Sequence, residues 1–314
     1  MKLSPVVIFG YDRPLHLKKM IESLSLNPET SNTDAFIFVD GINDFTNKKN
    51  HQLVVDIARS ELPFKKVFTV IRDTNFGCKK NIISGITEVF DSYDSAIILE
   101  DDLILGEHFL NYMNNALNYY KNENEIWHIN GYAHPQILKR IKRASISSLA
   151  QPWGWATWSN RWRVFIEGKY YEKNIISTLS LKERKKYNFY NLATYWEDAL
   201  KLDQVNKNSI WDAYWYQTIF LKKGLTVFPQ LSHVFNNGFD GSGLHCGVNN
   251  QFDTKLNFEK TEIFPSKLKV SYLYQFNTYI FYKKIKIYDY FSYHKSKFSN
   301  FKNFINWIKS KLTF

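Results

Sequence analysis

Three consecutive carboxylates, Glu100-Asp101-Asp102, follow the apolar run Ile97-Ile98-Leu99 and precede Leu103. Adjacent anions repel one another, so a triplet at the exit of a buried segment is costly unless a cation neutralises it. Hard divalent ions such as Mg2+ or Mn2+ take oxygen ligands and complete their shells with water and substrate phosphates. A metal held by these carboxylates would bridge the protein to a nucleotide diphosphate and stabilise it as a leaving group. The competing reading is an acidic N-cap for the segment that follows.

The elements that must position the triplet are legible as a regular beat. Apolar runs of strand length occur at Pro5–Gly10, Ala35–Asp40, Val67–Arg72 and Ala96–Glu100, with helix-period segments at Leu15–Leu26, Gln52–Ser60 and Lys79–Phe90 between them. Strand–helix–strand at this spacing predicts βαβ units and a mostly parallel sheet covered on both faces. A helix over Glu107–Tyr120 and a fifth strand over Ile126–Gly131 extend the pattern. Open parallel sheets bind ligands at the carboxyl ends of their strands. Those ends carry Gly10-Tyr11-Asp12-Arg13, Asp40-Gly41, Arg72-Asp73 and the triplet, whereas the strand starts carry nothing comparable.

Beyond Gly131 the pattern loosens. Ile137–Ser148 is basic, and Gln151–Trp162 holds four tryptophans. That segment reads either as a stacking floor for sugar rings, with Gly154-Trp155 facing the ligand, or as core, the role expected of Trp158 and Trp162. Helices are expected at Leu181–Val205 and Asp212–Lys222. The glycine-rich stretch Asn237–Cys246 reads as a mobile lid, in which His245 is either a diphosphate or metal contact or a structural residue.

Composition narrows the class. A chain of 314 residues with 44% hydrophobic and 23% charged residues is ordinary globular protein. The net charge of +11 invites an anionic partner, but ten lysines against one acid lie between Ser266 and Phe314, so the rest is close to neutral. In Tyr282–Tyr288 and Phe301–Lys309 lysines alternate with apolar residues, which suits either a helix on an anionic membrane surface or one docked on the catalytic body. No nucleic-acid motif accompanies the charge. Cys78 and Cys246 are too far apart in sequence for a metal-type cluster, and no signal peptide or spanning segment is seen. The expected location is cytoplasmic, at most peripheral to a membrane. The expected organisation is a single catalytic domain over 1–260 followed by a basic appendage over 261–314.

The run Ile97–Met113 resembles the metal-binding strand and following helix of GT-A glycosyltransferases. The likeness is to the N-acetylglucosaminyltransferase I family and to bacterial surface-polysaccharide transferases. It extends over most of residues 5–247, through Phe9–Pro14, Phe38–Gly41, Gly154-Trp155, Trp211-Asp212 and Ser232-His233. It implies a GT-A α/β fold, with a nucleotide-sugar-binding half over 1–130 and an acceptor-binding half over 131–260, and roles for individual residues. Arg13 would contact diphosphate or base, and Asp40 the uracil imide. Asp102 would ligate the metal, with Asp101 on ribose or donor sugar and Glu100 in support. Arg72, Asn75 and Lys79 would position nucleotide and donor. The base of inverting relatives follows a tryptophan at a helix start, which points to Asp212. Their second aspartate is Ala213 here, and Asp212 reads equally as a helix cap. Glu197-Asp198, after Trp196, is the rival.

The resemblance implies Mn2+- or Mg2+-dependent, inverting transfer of a hexose or N-acetylhexosamine from a nucleotide sugar, UDP-linked by expectation. The acceptor would be a glycan or lipid-linked oligosaccharide in surface polysaccharide or lipopolysaccharide synthesis. A catalytically silent glycan- or sugar-nucleotide-binding subunit is the alternative. A nucleotidyltransferase or phosphohydrolase ranks below both, because no glycine-rich phosphate loop follows the first strand.

Overall fold

The computed structural model describes residues 2–136, 140–205, 210–242, 250–258 and 263–296, with side chains described as far as residue 291. The first half alternates as expected: β1 (Val6–Gly10), α1 (Pro14–Ser25), β2 (Asp34–Val39), α2 (Lys48–Arg59), β3 (Lys66–Ile71), α3 (Cys78–Phe90) and β4 (Ser95–Glu100). A short β5 (Leu103–Leu105), α4 (Phe109–Tyr120) and β6 (Ile126–Asn130) follow. All five predicted strands lie within one residue of their expected ends. α2 begins four residues early because Asn47 caps it, its side chain accepting from the Asn50 N–H at 3.1 Å. Pro14 opens α1, where its missing N–H costs nothing.

The second half contains β7 (Ser145–Ser147), β8 (Trp155–Trp158), α5 (Ser159–Glu167), α6 (Leu181–Tyr187), α7 (Tyr195–Val205), α8 (Asp212–Leu221), β9 (Leu225–Phe228), β10 (Val234–Asn236) and α9 (Tyr272–Ser296). The single helix expected over Leu181–Val205 is two helices. Phe189, Tyr190 and Asn191 between them hold φ of 44°, 60° and 63°, which reverses the chain. A straight helix would set Arg184 and Glu197 about 20 Å apart. The reversal brings them into contact instead.

The strands form one sheet in the order β3-β2-β1-β4-β8-β6-β9-β7, with β5 and β10 as a separate antiparallel pair. β1, β2, β3, β4, β6 and β9 run in one direction, and β7 and β8 oppose them. The expected α/β class, a mostly parallel sheet flanked by helices, is the one observed. Side-chain alternation divides the core. Val7, Phe9, Phe38, Ala96 and Ile98 face the layer built on α3, α5, α7 and α8. Val6, Ile8, Ile37, Ile97 and Leu99 face α1, α2 and α4.

The C-terminal segment packs apolar side chains against this body as far as Ile285, and its polar contacts reach Asp289, which accepts from Gln251 Nε2 at 3.1 Å. Ala144 N–H donates to the Ile263 carbonyl at 3.0 Å, and the Tyr120 hydroxyl to the Pro265 carbonyl at 2.8 Å. α9 buries Tyr274, Phe281 and Tyr282 in the first core layer. The hydroxyls of Tyr274 and Tyr282 each sit 3.1 Å from a ring nitrogen of buried His134. The stretch from Tyr282 thus begins as a docked helix, while Phe301–Lys309 lies outside the described residues. Among the described residues, no helix is long and apolar enough to cross a membrane.

Candidate active site

The loop after β1 and the end of β4 are adjacent because those strands pair in parallel, Phe9 opposite Glu100. Arg13, three residues past β1, directs one guanidinium nitrogen to Asp101 Oδ1 and, at 3.1 Å, to Asp102 Oδ2. The chain turns at Asp101-Asp102 into β5, which pairs with β10, and this pairing carries the glycine-rich segment back over the triplet. Asn237 N–H donates to the Asp102 carbonyl at 2.8 Å. Gly238 lies so close that a Cβ on it would meet Asp102 Oδ2 at 2.2 Å, so any larger residue there would displace the Asp102 carboxylate. His16 of α1 reaches Asp240 Oδ2 at 3.1 Å and ties the same segment down. The near end of the expected lid therefore covers the triplet; His245 lies outside the described residues.

Asp212, the first residue of α8, belongs to the same electrostatic cluster. Burial raises its carboxyl to about 6, against the lowering effect of the Ala213 N–H that it accepts at 2.9 Å. Burial raises Asp101 to about 7, with the Arg13 charge opposing. Glu100 is pushed well above the usual carboxylate range, by burial first and then by Asp102, Asp212 and Asp101. The Cys78 thiol, at the start of α3, is also pushed well up by burial and by Glu100, Asp212, Asp40 and Asp101. One guanidinium thus faces Asp101, Asp102 and Glu100, and Asp212 adds to the negative field at Glu100, a condition under which a cation is attracted.

Among the described residues no set of three or more His, Cys, Asp or Glu side chains is arranged to hold a metal by itself. A Mg2+- or Mn2+-type site completed by a substrate diphosphate requires only one or two carboxylates. The surplus negative charge around Asp102 fits such a cation.

Four expected ligand contacts are committed elsewhere. Both oxygens of Asp40 are filled: Oδ1 accepts from the N–H groups of Gly41 and Phe76 at 2.9 and 2.8 Å, and Oδ2 from Gly77 N–H at 2.9 Å and Asn75 Nδ2 at 3.3 Å. With Asn75 also donating to the Gly41 carbonyl at 2.7 Å, the pair braces the loop before α3 and leaves Asp40 no open acceptor for a uracil imide. Arg72 runs along α3 to Asn81, Ser84 and Glu88, at 3.2, 3.1 and 2.7 Å, between the rings of Phe38 and Phe76. Lys79 pairs with Asp203 at 2.9 Å and sits 3.9 Å over the Tyr214 ring.

Trp155 is 0% exposed, stacked between His128 and Trp211 at 5.0 and 5.4 Å, and has no face to offer a sugar. Trp158 and Trp162 are core, as expected. The half-buried tryptophan of the segment is Trp153, edge-on to Phe239 of the covering loop.

The rival base is also committed. Glu197 is 3% exposed and accepts from Arg184 Nε at 2.8 Å, Asn188 Nδ2 at 2.6 Å and Lys201 Nζ at 2.5 Å. These partners lower it to about 2, so it holds no affinity for an acceptor's proton. Asp198 is exposed and lies 3.7 Å from Lys201. Asp212 alone of the three is both half-buried and raised. Sequence reasoning missed Asp203 and the packing of Gly238 on Asp102; the glycine-rich composition was the available signal for the second.

No family model matches the chain, and no curated protein matches it. Among solved structures it is similar to S. aureus TarS 1-349, at 12% identity and a TM-score of 0.43, covering 76% of this chain and 61% of that one. It is also similar to the mannosyltransferase PcManGT from Pyrobaculum calidifontis in complex with GDP-Man and Mn2+, at 10% identity and a TM-score of 0.35, covering 49% and 44%. The chain therefore spans less than two thirds of the length of either.

Proposed function

We propose that this chain is a metal-dependent, inverting glycosyltransferase that moves a sugar from a nucleotide sugar, UDP-linked, to a hydroxyl of a glycan or lipid-linked oligosaccharide. The observation that carries the reading is the half-buried Asp212 carboxyl, raised to about 6, in one cluster with Glu100-Asp101-Asp102 and Arg13. A base with a pKa near the working pH combines adequate proton affinity with a populated ionised form. Asp212 takes the proton of the acceptor hydroxyl as its oxygen attacks the anomeric carbon and the bond from that carbon to the diphosphate oxygen breaks. Arg13 holds Asp101 and Asp102 in place and supplies positive charge beside the departing diphosphate. A Mn2+ or Mg2+ ion on Asp102, when bound, adds Lewis-acid stabilisation of that leaving group.

The covering segment from Asn237 to Ser242 excludes water from the anomeric carbon, which favours transfer over hydrolysis. On α9, Tyr272, Phe276, Ile287 and Tyr290 are exposed beside Lys283, which supports contact with an anionic membrane surface; sedimentation with anionic liposomes checks it.

The test is a thermal-shift screen of UDP-, GDP-, dTDP- and CMP-sugars with and without Mn2+, followed by NMR of the product of the best donor. Specific binding stabilises by mass action. Absence of any metal-dependent shift sinks the donor assignment, and retention of anomeric configuration sinks the single displacement.

A further inference from the structure

Asp212 is raised and half-buried, yet the hydrogen bond described for its carboxylate goes to the next residue in the chain, Ala213. That contact cannot fix where the group points relative to the triplet. The residues on either side of Asp212 are held instead by one carboxylate, through the backbone of Ile210 and the side chain of Tyr214. Asp203 of α7 is 4% exposed, and its Oδ1 accepts from Ile210 N–H, two residues before Asp212, at 3.2 Å. Its Oδ2 accepts from the Tyr214 hydroxyl, two residues after Asp212, at 3.0 Å. The same oxygen takes Lys79 Nζ at 2.9 Å, and that ammonium lies 3.9 Å over the Tyr214 ring.

Lys79 follows Cys78 at the start of α3, and the Cys78 thiol lies in the field of Glu100, Asp101 and Asp212. Through Asp203, the ion pair therefore links the start of α3 to Ile210 and Tyr214, which flank Asp212 at the start of α8. Burying such a pair is a poor route to stability alone, because desolvating the two charges costs about what their attraction returns. Its distinctive product here is registry: Ile210 and Tyr214 are pinned to a point that is itself anchored on α3.

We infer that Lys79, Asp203 and Tyr214 form a positioning clamp that sets Asp212 against the acidic triplet. The inference rests on the reading of Asp212 as base. Displacing a reacting group by an ångström costs up to about 100-fold in rate without changing what binds. Loss of the clamp should appear in kcat and leave donor affinity alone.

The test uses the full chain and the UDP-sugar selected with Mn2+. Tyr214→Phe removes one hydroxyl and keeps the ring; Asp203→Asn keeps the shape and removes the charge. Both should lower kcat by about 10- to 100-fold, with Mn2+-dependent UDP affinity unchanged within about twofold. In an Asp212→Asn background neither should lower kcat further, because residues acting through one group are non-additive. Unchanged kcat in soluble, folded Tyr214→Phe overturns the clamp, and so does an undiminished further loss in the Asp212→Asn background. Near-normal turnover by Asp212→Asn itself shows instead that the reading of the base has failed, and the clamp falls with it.

Discussion

Glu100 and Glu197 are both shielded glutamates with charged neighbours, and the environment drives them in opposite directions. Glu197 is the more enclosed, yet it is held at about 2, while the more accessible Glu100 is pushed well above the usual range. Burial acts on both in the same sense: at Glu100 it is the largest cause of the shift, while at Glu197 the partners outweigh it. The neighbours differ in sign: Arg184, Lys201 and Asn188 surround Glu197 and overcome its burial, whereas Asp102, Asp212 and Asp101 add to the burial of Glu100, with Arg13 opposing. A cluster with cations to spare is a finished structural joint. A cluster short of them is poised for a ligand that brings positive charge, and its displaced pKa values mark it as the functional candidate.

The sharpest way to break this comparison is to neutralise one base candidate in each cluster. Asp212→Asn should cut transfer by ~10²–10⁴-fold with donor affinity retained, while Glu197→Gln should leave kcat within about twofold of wild type. Steady-state kinetics on both variants reads the contrast, and equal losses would erase it. Next in size is Asp102→Ala. A donor present at about 100 times its Kd stabilises a fold by about 2.7 kcal/mol. In the variant the Mn2+-dependent part of that increment should vanish, as read by thermal shift.

A pH profile sharpens the same point without mutation. The base must be ionised, so activity is full above the Asp212 pKa of about 6 and falls below it. At pH 5 kcat/KM should be down about tenfold. A flat profile from pH 7 to pH 5 would exclude Asp212.

Glu197→Gln should cost about 1 kcal/mol of stability, because Arg184 and Lys201 are half-exposed and regain water when their partner is lost. Since the folded pKa of Glu197 is depressed, that contribution is present above its unfolded value and is lost as pH falls toward about 2. The sign reverses for Asp212. Its folded pKa is raised, so ionising it destabilises the fold as pH rises through about 6. At pH 8 Asp212→Asn should therefore be more stable than wild type, by on the order of 1 kcal/mol or less. Denaturant titrations of the three proteins at two pH values measure both signs.

Local periodicity determined the first half of the molecule. A buried parallel strand needs a continuous apolar run and a crossover helix needs a 3.6-residue stripe, and both are properties of neighbouring residues. The strand ends, and hence Arg13 and the acidic triplet, were legible for the same reason. Trp155 shows the limit. The segment's composition suits a ligand floor or a core, and only the insertion of β8 antiparallel between β4 and β6 places that ring between His128 and Trp211. Asp40, Asn75, Arg72 and Lys79 were found as polar residues near strand ends. Whether such a group is free for a ligand depends on partners that can lie far away in sequence, as Asp203 does from Lys79. The choice between Asp212 and Glu197 was likewise open in the sequence, since each is an acid following a tryptophan. Folding separates them by environment: the charges of Arg184 and Lys201 lower Glu197, whereas burial raises Asp212.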